Sequence, residues 1–282
     1  FSGNSFHLHT YMGVYEIRDR DEAVSIMVDK ANIAADTIKN NYDCCVAYYD
    51  EHLLEISIEQ RRLLGEFEPA LQNDEFVMYL QPQVKRDGAA KGAEALVRWV
   101  HPSRGILTPY AFIDILENAG LIYKLDLYIW EKAAQKLAEW KEKGYGSYHI
   151  SVNISTKDFY IIDIYETFTG LINKYGIAAS NLHLEITETT LMTDFEKNMN
   201  IIHKLQGVGF RVEIDDFGSG YSSLNMLKDI SADVLKIDMG FLRKSENEVK
   251  GQDILESIIT LAGKIGMDVI TEGVETKKQL DM

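Results

Sequence analysis

Oxygen-bearing side chains recur near the ends of apolar runs. Glu94 lies in GAEALVRWVHP, Asn153 in SVNIS and Glu185 in LEITE, the pair Asp215-Asp216 ends VEIDD, and Glu272 lies in VITEG. Lys236 and Asp238 close LKID. Singly, each has an ordinary reading: a satisfied interior carboxylate, a helix cap or a turn opener. Gathered at one mouth, the carboxylates would repel, and some would be forced neutral unless a cation sat among them. The candidate donors are all oxygens, with no His or Cys, which suits Mg²⁺ or Mn²⁺ better than zinc. A consecutive aspartate pair suits two ions, one carboxylate bridging while its neighbour binds the second. Glu94 and Arg98 share one face of a strand yet stand about 13 Å apart along it. They cannot pair with each other, so each needs a partner from another strand or from a ligand.

Other chemistries find little support. The seven histidines show no HExxH spacing, no GxSxG elbow is present, and GSGYSS lacks the lysine of a phosphate-binding P-loop. On chemistry alone, a barrel lyase or racemase of enolase type is the rival, because it too places acidic metal ligands and a lysine on strand ends.

The elements that must position these groups follow from the patterning. From Glu75 onward, strands alternate with helices: EFVMYLQPQV, KGAEALVRWV, YHISVNIS, NLHLEITE, FRVEIDDFG, DVLKID and MDVITEGV, with helical segments such as LDLYIWEKAAQKLAEWKEKG between most of them. That rhythm predicts a parallel sheet with helices outside. The first two strands are separated only by KRDGAA, whose Asp87-Gly88 signals a hairpin, so the first strand should run antiparallel. The expectation is an α/β fold: a modified TIM (β/α)8-type barrel with an irregular start, an eighth strand apparently missing, and its site at the C-terminal strand ends. Residues 1–55 read strand, helix, strand, with Ala23, Ile26, Met27, Ala31, Ile33 and Ala34 at helical spacing, too little for a convincing independent domain. Residues 56–74 read as a helical linker and 75–282 as the barrel. The opening FSGNSFHLHTY reads as a cut inside a longer protein. Trp130 and Trp140 are expected in the core.

The net charge of −15 argues against a general nucleic-acid binder and leaves bound metal as the means of attracting an anion. No apolar run approaches the ~20 residues of a membrane span. Cys44 and Cys45 are adjacent, a poor disposition for a disulfide, and read as reduced, small buried residues on a strand in a cytosolic compartment.

The blocks EALVRW with QPQ upstream, SVNIS, LEITE, DDFGSGYSSL, LKID and TEGVET, in that order, resemble the EAL domain of bacterial cyclic-di-GMP phosphodiesterases. The resemblance runs from about Phe67 to the end of the chain. More weakly, TYMGVYEI and DKANIAADTIKNN resemble the C-terminal part of a GGDEF domain, whose signature itself is absent. The resemblance implies metal-dependent hydrolysis of cyclic-di-GMP to linear pGpG, the alternative being a catalytically silent receptor for the same ligand. It implies Glu94, Asn153, Glu185, Asp215, Asp216 and Glu272 as ligands to two Mg²⁺ or Mn²⁺ ions. It implies Gln81, Arg98 and Asp216 at the substrate, and Lys236, Glu94 and Glu188 in catalysis. Lys236 would be the base or orient the attacking water, and Glu188 would steady the loop from Phe217 to Ser223. It further implies a cytoplasmic homodimer formed through the barrel, without polymeric nucleic acid and without membrane contact from this segment. A membrane tether on the parent protein is left open.

Overall fold

The computed structural model describes residues 10–39, 44–217, 230–238, 248–274, 276, 277 and 280. Most of the loop after Phe217, including GSGYSS, lies outside them. The chain forms two compact units, Phe1–Pro69 and Ala70–Met282.

In the first unit, β1 (Met12–Val14) pairs in parallel with β2 (Val46–Tyr48), and α1 (Val24–Asp36) joins them. The helix forms where its apolar period places it, but the period overstates its buried face. Ala34 is buried, whereas Ile26 is 47% exposed. Cys44 and Cys45 are free thiols, one half-buried and the other exposed, and they precede β2. The expectation of buried strand residues is therefore corrected: the strand starts at Val46. α2 (Glu51–Gln72) follows, and Pro69 lies within it.

The second unit starts with the hairpin of β3 (Phe76–Val84) and β4 (Ala90–His101), antiparallel as the Asp87-Gly88 signal predicts. Gly88 takes φ +83°, and the Asp87 carboxylate accepts the Ala89 N–H at 2.9 Å. A short strand not anticipated from sequence, β5 (Gly105–Leu107), folds back on the end of β4. Then come α3 (Ile113–Asn118), α4 (Ile122–Glu142), β6 (His149–Ile154), α5 (Asp158–Ile161), α6 (Ile164–Tyr175), β7 (Leu182–Thr187), α7 (Glu188–Thr193), α8 (Phe195–Val208), β8 (Arg211–Phe217), β9 (Val234–Asp238), α9 (Glu248–Lys264) and β10 (Asp268–Glu272). The strand order is β10-β9-β8-β7-β6-β4-β3, parallel except for the β3–β4 pair. An eighth strand on this path is not among the described residues.

The sheet is curled, and side-chain contacts show by how much. Between β4 and β9 lie β6, β7 and β8. At about 4.8 Å per strand, a flat sheet would hold β4 and β9 about 19 Å apart. Yet Lys236 on β9 reaches Glu94 on β4 at 3.1 Å, and Lys91 on β4 lies 4.0 Å from Asp268 on β10.

Strand alternation divides the two faces. Ile150, Val152, Leu182, Leu184, Ile186, Val212, Ile214 and Leu235 are fully buried on one side. His149, Ser151, Asn153, His183, Glu185, Glu213, Asp215 and Lys236 point to the other, the inside of the curl. α4 covers the apolar side with Leu125, Ile129, Trp130, Ala133 and Leu137, a buried stripe at helical spacing. Trp130 is buried as expected, its ring tilted against Phe168 with centroids 4.5 Å apart, whereas Trp140, also expected in the core, is only half-buried, against Tyr148.

Candidate functional site

One cation organises the inside of the curl. Lys236, 1% exposed, places its Nζ 3.1 Å from Glu94, Glu185 and Asp215 and 2.8 Å from Glu272. The four carboxylates come from β4, β7, β8 and β10, so strands far apart in sequence supply one cluster. Burial alone would lower the lysine pKa, but Glu185, Asp215, Glu94 and Glu272 together raise it, and the side chain is an ammonium at neutral pH. Burial is the first cause that raises Glu94 and drives Glu185 well above the usual carboxylate range; Lys236 opposes it in both. Both Glu185 carboxylate oxygens are buried, and the Lys236 ammonium stands 3.1 Å from one of them.

The consecutive aspartates reach this region because β8 is irregular. Ile214 pairs with Leu235 and Phe217 with Ile237, so Asp215 and Asp216 together oppose the single residue Lys236. This is a β-bulge. In a regular strand, neighbours point to opposite faces. Here Asp216 adopts φ +56°, a left-handed conformation that aspartate tolerates. Its carboxyl is raised by desolvation first and then by Asp215 and Glu272, so it shares the charge field of the cluster without touching the lysine.

The remaining expected residues fall around this centre. Asn153 is the register partner of Glu185 and Gln81 that of Glu94, so each shares the inner face with a member of the cluster. The Asn153 carbonyl accepts the Trp130 indole N–H at 2.9 Å, which ties the end of β6 to α4. Arg98 lies on the face of Glu94 and donates to the Val97 carbonyl at 2.7 Å. Glu188 opens α7 immediately after Thr187, whose hydroxyl caps that helix through the Thr190 N–H, and it stands outside the Lys236 cluster. The loop it was expected to steady lies mostly outside the described residues.

Beneath the acidic centre is a layer that sequence spacing did not reveal. The His183 Nδ1 and a Glu213 oxygen are 2.5 Å apart, and Glu213 is the register partner of Glu185. The His149 ring stacks on His183 at 3.8 Å with 3° between planes, and its Nε2 pairs with the Gln83 side-chain oxygen at 2.7 Å. Burial, then the neighbouring His183, lower His149 to about 4, so it is neutral at pH 7. Burial opposes a charge on Glu213, yet the hydrogen bond and charge of His183 outweigh it and hold the carboxyl below its usual range. Donor atoms of His149, His183 and Glu213 lie within 4.8 Å of one another. An ion is held in the plane of an imidazole, however, and two parallel stacked planes offer no common in-plane point. The layer is a hydrogen-bonded stack beside Glu185 rather than a zinc centre. Gly92 makes room for it, since a Cβ there would sit 2.5 Å from the His149 ring. The three residues come from three strands, and only the register brings them together.

The donor set fits hard divalent cations. It offers carboxylates and one amide, two of the carboxylate oxygens buried on Glu185, and mutual repulsion relieved by positive charge.

Comparison with known proteins agrees with this geometry. The family model for the EAL domain matches residues 65–282. The bifunctional diguanylate cyclase/cyclic di-GMP phosphodiesterase MucR of Pseudomonas aeruginosa is 32% identical over 247 residues, covering 87% of this chain and 36% of that protein. The cyclic di-GMP phosphodiesterase PdeR of Escherichia coli is 32% identical over 74% of this chain and 32% of its own length. The chain thus spans well under half of these relatives. A solved structure of the MucR phosphodiesterase in complex with c-di-GMP superposes with a TM-score of 0.73 at 33% identity, covering 78% of this chain and 90% of that one. A Vibrio cholerae LapD structure spanning S helix, GGDEF and EAL shares the fold at 20% identity, with a TM-score of 0.69 over 95% of this chain and 64% of that one. With two-thirds and more of its length matched by the family model, and a lysine seated among the carboxylates of the motif strands, the chain belongs to the EAL-domain family.

Proposed function

We propose that this chain hydrolyses one phosphodiester bond of cyclic-di-GMP, giving linear pGpG, with two Mg²⁺ or Mn²⁺ ions. The observation that carries the reading is the convergence of Glu94, Glu185, Asp215 and Glu272 on Lys236, with Arg98 on the same face as Glu94. Glu94, Asn153, Glu185, Asp215, Asp216 and Glu272 are the residues that would hold the ions. When bound, such ions supply an acidified water and polarise a phosphoryl oxygen.

The chain's own groups have separable tasks. Arg98 donates to a non-bridging phosphate oxygen, which orients the ester and draws a dianion into an acidic protein. Gln81 lines the same face. Lys236, seated among these carboxylates, is the base for the attacking water or the donor that orients it. Glu188 would steady the loop from Phe217 to Ser223, most of which lies outside the described residues. The reading extends to a cytoplasmic homodimer formed through the barrel. It also takes residues 1–55 as the C-terminal part of a GGDEF-like domain, with 56–74 as linker and 75–282 as the EAL domain. The βαβ arrangement of the first unit and the LapD likeness in fold support the GGDEF part. No described helix is long and apolar enough to cross a membrane.

The test is incubation of the protein with cyclic-di-GMP and Mg²⁺ or Mn²⁺, with product separated by chromatography. Formation of pGpG supports the reading. Stoichiometric binding without product would instead establish the silent receptor.

A further inference from the structure

Between the acidic centre and solvent, the inner face of the β3–β4 hairpin carries Tyr79, a ring to which the reading above gives no task. Register pairs Tyr79 with Leu96 and Val77 with Arg98, so these four residues share the face of Gln81 and Glu94. Leu96 and Arg98 are half-buried, but Val77 is 39% and Tyr79 46% exposed. The Arg98 guanidinium carbon lies 5.8 Å from the centroid of the Tyr79 ring. Arg98 has no carboxylate within 4 Å among the described residues, an unusual state in a chain of net charge −15. Its one hydrogen bond goes to a carbonyl, which leaves most of its five N–H groups available.

The chemistry of this patch is specific. An aromatic ring below a guanidinium restricts that flexible side chain to one side of the strand and keeps its outer N–H edge pointing at an anion. The exposed side of the ring and the Val77 side chain make a narrow flat apolar shelf. The amide of Gln81, two residues along the same face from Tyr79, places a donor and an acceptor beside that shelf. Phosphate, flat aromatic surface and a hydrogen-bonding edge together describe a nucleotide with a purine base, and a lipid chain would leave the arginine and the amide unused.

We propose that Tyr79 is a positioning residue, whose ring holds Arg98 for the phosphate and offers the adjoining purine base of the substrate a stacking surface. This rests on the cyclic-dinucleotide reading of the site given above. Tyr79 acts on substrate affinity and on the pose of Arg98, not on bond breaking.

The experiment is a kinetic series on the full chain with cyclic-di-GMP and Mn²⁺: wild type, Tyr79→Ala, Tyr79→Phe, Tyr79→Trp, Arg98→Ala, and the double variant Tyr79→Ala/Arg98→Ala. Loss of a ring–cation contact and of a base stack should raise KM about tenfold in Tyr79→Ala, with kcat nearly unchanged. Phe and Trp should restore the wild-type KM, because the ring and not the hydroxyl is used. The double variant should be worse than Arg98→Ala alone, through the lost stacking surface, but by less than the full Tyr79→Ala loss, since the tyrosine works partly through the arginine. An unchanged KM in Tyr79→Ala, failure of Phe to rescue, or additive losses would overturn the assignment. Tyr79 is exposed, and circular dichroism of each variant checks that the fold is intact. If the wild type binds cyclic-di-GMP without cutting it, the same series is read as dissociation constants by calorimetry. Hydrolysis then fails as a reading while the Tyr79 assignment is still judged. A wild type that neither cuts nor binds overturns both.

Discussion

Replacing Lys236 by methionine keeps an unbranched side chain, one atom shorter, and removes its charge. In the native protein this ammonium lies within 3.1 Å of Glu94, Glu185 and Asp215 and 2.8 Å from Glu272. At an effective dielectric of about 20, each such pair is worth about 5 kcal/mol before desolvation. The loss is capped, because a carboxylate can take up a proton instead. At pH 7.5 that costs a glutamate of ordinary pKa about 4 kcal/mol. Lys236→Met should therefore destabilise the metal-free protein by about 3–5 kcal/mol, the range for a buried charge left without its partner. The sign of the pH dependence follows. Without the lysine, the folded-state pKa values of Glu94 and Glu185 rise further above their unfolded values. The folded variant then holds extra protons, and its deficit shrinks on acidification by about 1.4 kcal/mol per pH unit for each such carboxyl. Divalent cations, replacing the missing charge, should stabilise the variant more than the wild type. Urea denaturation at pH 7.5 and 5.5, in EDTA and then in Mn²⁺, measures all of this. Product formation from cyclic-di-GMP should be lost while Mn²⁺ binding persists. A variant as stable as wild type at pH 7.5 in EDTA, or one whose deficit ignores both protons and Mn²⁺, would refute the electrostatic account. Normal turnover would remove Lys236 from the mechanism.

Glu94→Ala should weaken Mn²⁺ binding as well as turnover, which isothermal titration calorimetry separates from Lys236→Met. Gly92→Ala places a Cβ 2.5 Å from the His149 ring and should cost about 1–3 kcal/mol in urea unfolding; adding His149→Ala should recover part of that loss, and full additivity would show the clash is not with this ring. His149 has a folded pKa lowered to about 4, so the unfolded chain binds its proton first. Stability should be level above about pH 6.5 and fall by on the order of 2 kcal/mol between there and pH 4, and His149→Asn should lose that part of the slope. Trp130→Phe keeps an aromatic ring against Phe168 but removes the 2.9 Å bond to the Asn153 carbonyl; about 1 kcal/mol of stability and a several-fold loss of turnover are expected, and unchanged kinetics would show that α4 does not position Asn153.

Much of this protein was legible in its sequence. Alternation marked the strands of the sheet, Asp87-Gly88 announced the antiparallel first hairpin, and residue type singled out Glu94, Glu185, Asp215, Lys236 and Glu272, because charge inside an apolar run has no inexpensive place to go. These are local properties, decided within a few residues by backbone geometry and side-chain solvation. β5 was not legible, because a three-residue strand carries no period. The surface exposure of Ile26 was not, because a repeat shows which residues share a face but not whether anything covers it. Only the tertiary structure decided who meets whom. Curling of the sheet brings β9 to β4, a bulge brings Asp216 round beside Asp215, and strand register sets the His149, His183 and Glu213 layer beneath Glu185. Such contacts depend on twist and register summed over several strands, and no short stretch of the chain contains that sum.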